Sequence, residues 1–112
     1  MAGYFKCSVC NFVHEGDSAP DKCPKCGAPK EKFVALDAAA GEAIKKSRRT
    51  NYLHMKIMAK LQAVRELAKE GTELNLDPPC VALFTKERAD SELWMQMIKA
   101  ELETHMKKGK WG

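Results

Sequence analysis

Four of the chain's five cysteines, Cys7, Cys10, Cys23 and Cys26, fall in the pattern C-x2-C-x12-C-x2-C, and the fifth, Cys80, stands apart. Two thiolate pairs at the ends of a short loop can present four sulfurs to one ion in a tetrahedron. A disulfide framework is the competing reading of a small cysteine-rich chain. The odd fifth cysteine and a start, Met1-Ala2-Gly3-Tyr4, without an apolar signal core argue against it and for a reducing, cytoplasmic setting. An S4 site suits zinc or iron, and ligand softness does not choose between them. Zinc would make a redox-silent structural knuckle, whereas iron would make a one-electron carrier.

The residues flanking the sulfurs agree with a metal site. In Cys23-Pro24-Lys25-Cys26-Gly27 a proline of fixed φ follows the first ligand and a glycine follows the second. That glycine can take a left-handed conformation, which turns backbone N–H groups toward the thiolates. Such donors stabilise the deprotonated, metal-bound state. The first pair, Cys7-Ser8-Val9-Cys10-Asn11, carries asparagine at the matching place, the residue next most tolerant of that region.

Length and composition bound the rest. A chain of 112 residues, 45% hydrophobic and 30% charged, has room for about one ordinary domain, which excludes a large multi-domain enzyme and a disordered chain. No apolar run approaches the roughly 18 residues of a membrane span. The net charge of +4 divides into +1 over residues 1–36 and +3 over the remainder, too modest to argue for nucleic acid.

The stretch Tyr4-Phe5-Lys6-Cys7-Ser8-Val9-Cys10-Asn11-Phe12-Val13-His14-Glu15-Gly16, followed by Ala19-Pro20-Asp21-Lys22-Cys23-Pro24-Lys25-Cys26-Gly27-Ala28-Pro29-Lys30-Glu31-Lys32-Phe33, resembles the rubredoxin-like domain of rubrerythrins. The resemblance covers residues 2–36. It implies one Fe(SCys)4 centre held by Cys7, Cys10, Cys23 and Cys26, with Tyr4, Phe12, Val13 and Phe33 forming a small core around it. Asn11 is a departure, since the family usually has glycine there. Rubrerythrins join this module to a ferritin-like four-helix bundle that binds two irons and reduces peroxide, and in the reverse arrangement the module comes first. The about 75 residues left in this chain supply half of such a bundle.

Residues 37–112 read as helical. Ile44, Leu53, Ile57, Leu61, Val64, Leu67 and Ala68 keep mostly three- and four-residue spacings, the mark of one helical face, with Gly71 as the stop. Gly41 and the polar Lys45–Asn51 stretch leave the helix start open. Pro78-Pro79 then predicts an extended connection. A second helix follows from about Thr85 to Lys108, capped by Thr85 or Asp90, with Ala89, Leu93, Trp94, Met97, Ile98, Leu102 and Met106 as its stripe and Gly109 as its end. The expected architecture is a rubredoxin-like, zinc-ribbon-type β module over residues 1–36 and an all-α hairpin over residues 37–112. Each helix carries more apolar surface than one neighbour covers, so a homodimer completing a four-helix bundle is the economical solution.

Ferritin-like diiron sites need Glu-x-x-His pairs, because that spacing puts both side chains on one inward face. The chain has none. The nearest set is Glu101 with His105, four residues apart, and His54 with Glu66 on the first helix. The plain reading of Glu101 and His105 is an intrahelical ion pair. Peroxidase chemistry is therefore not carried over, except as a site assembled across a dimer from these four residues. Lys45, Lys46, Arg48 and Arg49 read as a solvated face or a docking patch for an acidic redox partner. Cys80 reads as a small buried thiol. The expected function is a one-electron carrier that meets a protein redox partner; the alternative is a structural zinc ribbon acting as an adaptor in a larger complex.

Overall fold

Strand β1 (Gly3–Cys7) lies at the centre of a three-stranded antiparallel sheet in the computed structural model, which describes residues 3–112. It pairs on one side with β2 (Val13–Gly16), setting Phe5 opposite His14, and on the other with β3 (Phe33–Ala35), setting Cys7 opposite Phe33. Between β2 and β3 the chain makes one isolated bridge, Lys22 to Pro29, and a 3-10 turn at Lys30–Lys32. Two helices follow, α1 (Ala38–Leu74) and α2 (Pro78–Lys107). A small sheet bearing the cysteines, then a helical hairpin, is the expected architecture.

The helix boundaries differ from expectation, and each difference has a local cause. α1 runs unbroken through Gly41, the Lys45–Asn51 stretch and Gly71, reaching Leu74 before Asn75 turns left-handed at φ 50°. Gly71 is a packing glycine, not a stop: a Cβ there would lie 2.5 Å from ring atoms of Phe84. The two prolines begin α2, where an extended connection was expected. The first helical N–H groups have no intrahelical acceptor, so proline loses nothing there and its fixed φ already suits the helix. Asp77 is the cap, its carboxylate accepting from the Cys80 N–H at 2.9 Å. The expected caps are inside α2: Thr85 donates to the Val81 carbonyl, and Asp90 pairs with Lys86. Asp37 caps the start of α1 in the same way, accepting from the Ala40 N–H at 2.8 Å.

The described residues form two compact units, residues 3–48 with 109–112, and residues 49–108. In the first, α1 begins against the sheet: a Cβ at Gly41 would lie 2.7 Å from the Tyr4 ring, and Ile44 is buried. Arg48, expected on a solvated or docking face, is engaged inside this unit. It donates to Glu15 at 2.9 Å and to the Gly112 carbonyl at 3.0 Å, and its guanidinium lies 5.4 Å from the Tyr4 ring centroid. In the second unit the hairpin core is Leu61, Met95 and Ile98, with Met58 and Leu102 against it. No helix among the described residues is long and apolar enough to cross a membrane.

Candidate metal centre

Each cysteine pair sits on a tight turn of the same construction. In the first, the Cys7 N–H donates to the Phe12 carbonyl and the Asn11 N–H donates back to the Cys7 carbonyl. In the second, the Cys23 N–H donates to the Ala28 carbonyl and the Gly27 N–H to the Cys23 carbonyl. Asn11 and Gly27 both adopt the left-handed conformation, at φ 69° and 76°. The asparagine therefore preserves the turn that the sequence required at that place. The Lys6–Val13 and Lys22–Pro29 pairings close the bases of the two turns, so the knuckles are repeats of one motif offset by sixteen residues.

The four sulfurs converge. All lie within 4.8 Å of one another, with Cys7 Sγ 3.7 Å from Cys26 Sγ and Cys10 Sγ 3.6 Å from Cys23 Sγ. A tetrahedron with metal–sulfur bonds of about 2.3 Å has edges of about 3.8 Å, so the donor set fits a four-coordinate ion. Among the described residues this is the one group of three or more His, Cys, Asp or Glu whose ligand atoms converge in this way.

Burial divides each pair. Cys7 and Cys23 are 0% and 3% exposed, whereas Cys10 is half-buried and Cys26 open to solvent. Tyr4, Phe12, Val13 and Phe33 are each only half-buried, so Cys7 and Cys23 are the most enclosed side chains of the module. An ion bound by these two enclosed ligands would add its binding free energy to the stability of the module.

The electrostatics favour thiolates at the enclosed positions. Burial pushes the Cys7 thiol up, but backbone N–H groups of Cys10 and Val9, with the Cys26 and Cys10 thiols, bring it below its ordinary value. Cys23 is likewise raised by burial and lowered further by the amides of Cys26 and Lys25, to about 7. Cys26 goes the other way. The Ala28 amide lowers it, yet burial and the three neighbouring sulfurs raise it to about 12. The donors at Val9, Lys25 and Ala28 are backbone groups, which is why residue identities did not reveal them.

Residues 5–34 match the family model described as "Rubrerythrin, rubredoxin-like domain". This segment is similar to the rubredoxin-like domain of rubrerythrins. It is 60% identical over 32 residues to Reverse rubrerythrin-1 of Clostridium acetobutylicum, covering 29% of this chain and 18% of that protein. It is 47% identical over 36 residues to Rubrerythrin of Nitratidesulfovibrio vulgaris, covering 32% of this chain and 19% of that protein. The chain thus matches less than a fifth of the length of these curated relatives. The helical hairpin has no family match. No solved structure matches the chain significantly. The rubredoxin-like domain with its four-cysteine cluster makes this a metal-binding rubredoxin-like protein.

Of the other candidate residues, the hairpin brings some together. His105 Nε2 lies 3.1 Å from Glu101 Oε1, the expected intrahelical pair, and its Nδ1 lies 2.6 Å from Asn51 Oδ1. His54 approaches His105 edge-on, with ring centroids 6.4 Å apart. Glu66 does not join them; its carboxylate pairs with Arg65 at 3.5 Å and is well exposed. Asn51 was not among the expected residues, because its role depends on a residue fifty-four positions away. Cys80 is a free, half-buried thiol whose backbone N–H completes the Asp77 cap.

Proposed function

We propose that the rubredoxin-like domain binds one iron through Cys7, Cys10, Cys23 and Cys26 and carries single electrons between protein partners. The observation that carries this reading is the division of the site into a buried half and an exposed half. Cys7 and Cys23 are enclosed and receive backbone N–H donors, an arrangement that holds ligands rigidly and stabilises negative charge on sulfur. Cys26 is open to solvent, and Cys10 stands beside the exposed Val9, so a partner can approach sulfur across a partly apolar surface. Iron in four thiolates supplies a one-electron couple that needs no change of ligand. Similarity to rubrerythrins over this segment supports iron, and the fixed sulfur positions favour a site that reorganises little.

The deciding experiment is metal content per chain together with the visible spectrum before and after dithionite, on protein made in iron-replete cells. One iron per chain and a colour that bleaches on reduction and returns in air is the expected result. A colourless protein holding only zinc would overturn the carrier reading and leave a structural zinc ribbon serving an adaptor hairpin.

A further inference from the structure

The two broad faces of the α1–α2 hairpin differ in kind. One surrounds Met58 and Met95 with Gln62, Arg65, Gln96 and Lys99, a polar rim suited to water. The other opens a cavity of about 380 Å³ lined by Ile57, Leu61, Trp94, Met97 and Ile98, with His54 and Glu101 at one end. Trp94 is 54% exposed, Met97 60% and Leu67 65%.

The register of α1 shows why both a buried and an exposed apolar strip occur on one helix. Residues 54, 61 and 68, with 51, 58, 65 and 72, repeat every seven positions and turn toward α2; all are buried or half-buried. Beside them Ile57, Val64 and Gly71, with Leu53, Lys60, Leu67 and Leu74, repeat every seven positions on the adjoining strip. Of that strip only Gly71 is enclosed, by Phe84. A helix with two adjoining seven-residue repeats has the pattern of a bundle helix that packs against two neighbours, and the hairpin provides one.

We propose that two copies of this chain pair through the face bearing Ile57, Trp94 and Met97, forming an isologous four-helix bundle. Area is the first argument for a second copy. The exposed portions of Leu53, Ile57, Val64, Leu67, Trp94 and Met97 amount to on the order of 600 Å², most of the about 800 Å² each partner buries in a stable interface. Charge is the second. On this face α1 carries Lys60 and α2 carries Glu87 and Glu101, Asp90 being already paired with Lys86 at 3.2 Å, so a two-fold rotation can set the basic strip of one copy against the acidic strip of the other. Glu101 keeps a polar partner when the face is covered, since His105 Nε2 lies 3.1 Å from its Oε1.

Sedimentation equilibrium of the full, metal-loaded chain tests the pairing. The expected species has twice the chain mass of 12.5 kDa. Met97→Glu places a charge on the apolar face without entering the monomer core; it should raise the dimer dissociation constant at least about 100-fold while helical circular dichroism is retained. Leu67→Lys provides an independent charge on the same face, should the first variant fold poorly. Lys99→Glu, on the polar face, should leave the mass unchanged. A monomer at about 100 μM, a dimer that survives both face variants, or an assembly larger than two would each overturn the proposal.

Discussion

Asn11 and Gly27 hold matching left-handed positions at φ 69° and 76°, each donating its N–H to the carbonyl of the cysteine four residues before it. One backbone solution thus serves both knuckles with two different residues. At Gly27 a Cβ would meet nothing within 4 Å, so the cost of a side chain there is conformational alone. Gly27→Ala should destabilise the metal-loaded domain by about 1 kcal/mol, and Asn11→Gly should change it by no more than a few tenths. Asn11→Val, branched at Cβ, should cost about 2 kcal/mol. Urea unfolding of the loaded protein, followed at the metal chromophore or by metal release, measures all three.

Metal binding should release protons. Before loading, Cys26 is held up to about 12 and is protonated at neutral pH, while Cys23, at about 7, is only partly ionised there. Four thiolate ligands require that the remaining protons leave, so affinity rises with pH and falls as acid returns them. A chelator competition at about pH 6 and about pH 8 should show at least about tenfold tighter binding per pH unit. A pH-independent constant would show that the sulfurs do not bind as thiolates.

Arg48 should act as a strut of the cysteine-bearing unit. It joins Glu15, the Tyr4 ring and the Gly112 carbonyl, and it holds the Glu15 carboxyl below the usual carboxylate range. A lowered carboxyl favours the fold above its ordinary titration range, and that contribution disappears as pH falls through the lowered value. Arg48→Ala should return the Glu15 titration to the ordinary range, read by carboxyl NMR, and lower the thermal midpoint. Arg48→Lys should restore only part of the stability, because an ammonium cannot reproduce the planar, forked contacts.

Gly71 and Phe84 should be coupled. Alanine is a better helix former than glycine by about 1 kcal/mol, but the alanine methyl at position 71 would fall 2.5 Å from the Phe84 ring, and overpacking of that kind costs about 1–3 kcal/mol. Gly71→Ala should therefore destabilise the hairpin while Phe84 is present. In a Phe84→Ala background the same change should stabilise it. A double-mutant cycle on thermal or urea unfolding reads the reversal of sign.

The cysteine spacing made the metal site legible because the pattern is local. Each pair lies within one turn, each turn closes on hydrogen bonds spanning at most five residues, and the need for φ above zero is written in Asn11 and Gly27. The existence of two helices was equally legible, since three- and four-residue spacing of apolar side chains is a property of the helix itself. Their ends were less so. Pro78-Pro79 suits an extended link or a first helical turn equally well, and the Asp77 cap is what selects the turn. Gly71 looks like a terminus until Phe84, from the other helix, is set against it.

The sequence by itself determined which residues can bind metal, the turns that present them, and that two helices follow them. Tertiary structure alone decided that Cys7 and Cys23 are enclosed while Cys26 faces solvent, that Arg48 leaves a run of surface charges for Glu15 and the Tyr4 ring, and that Asn51 meets His105. The reason is one of range. Turn and helix preferences act over a few neighbouring residues, whereas burial and ion pairing depend on which distant segments the fold packs together.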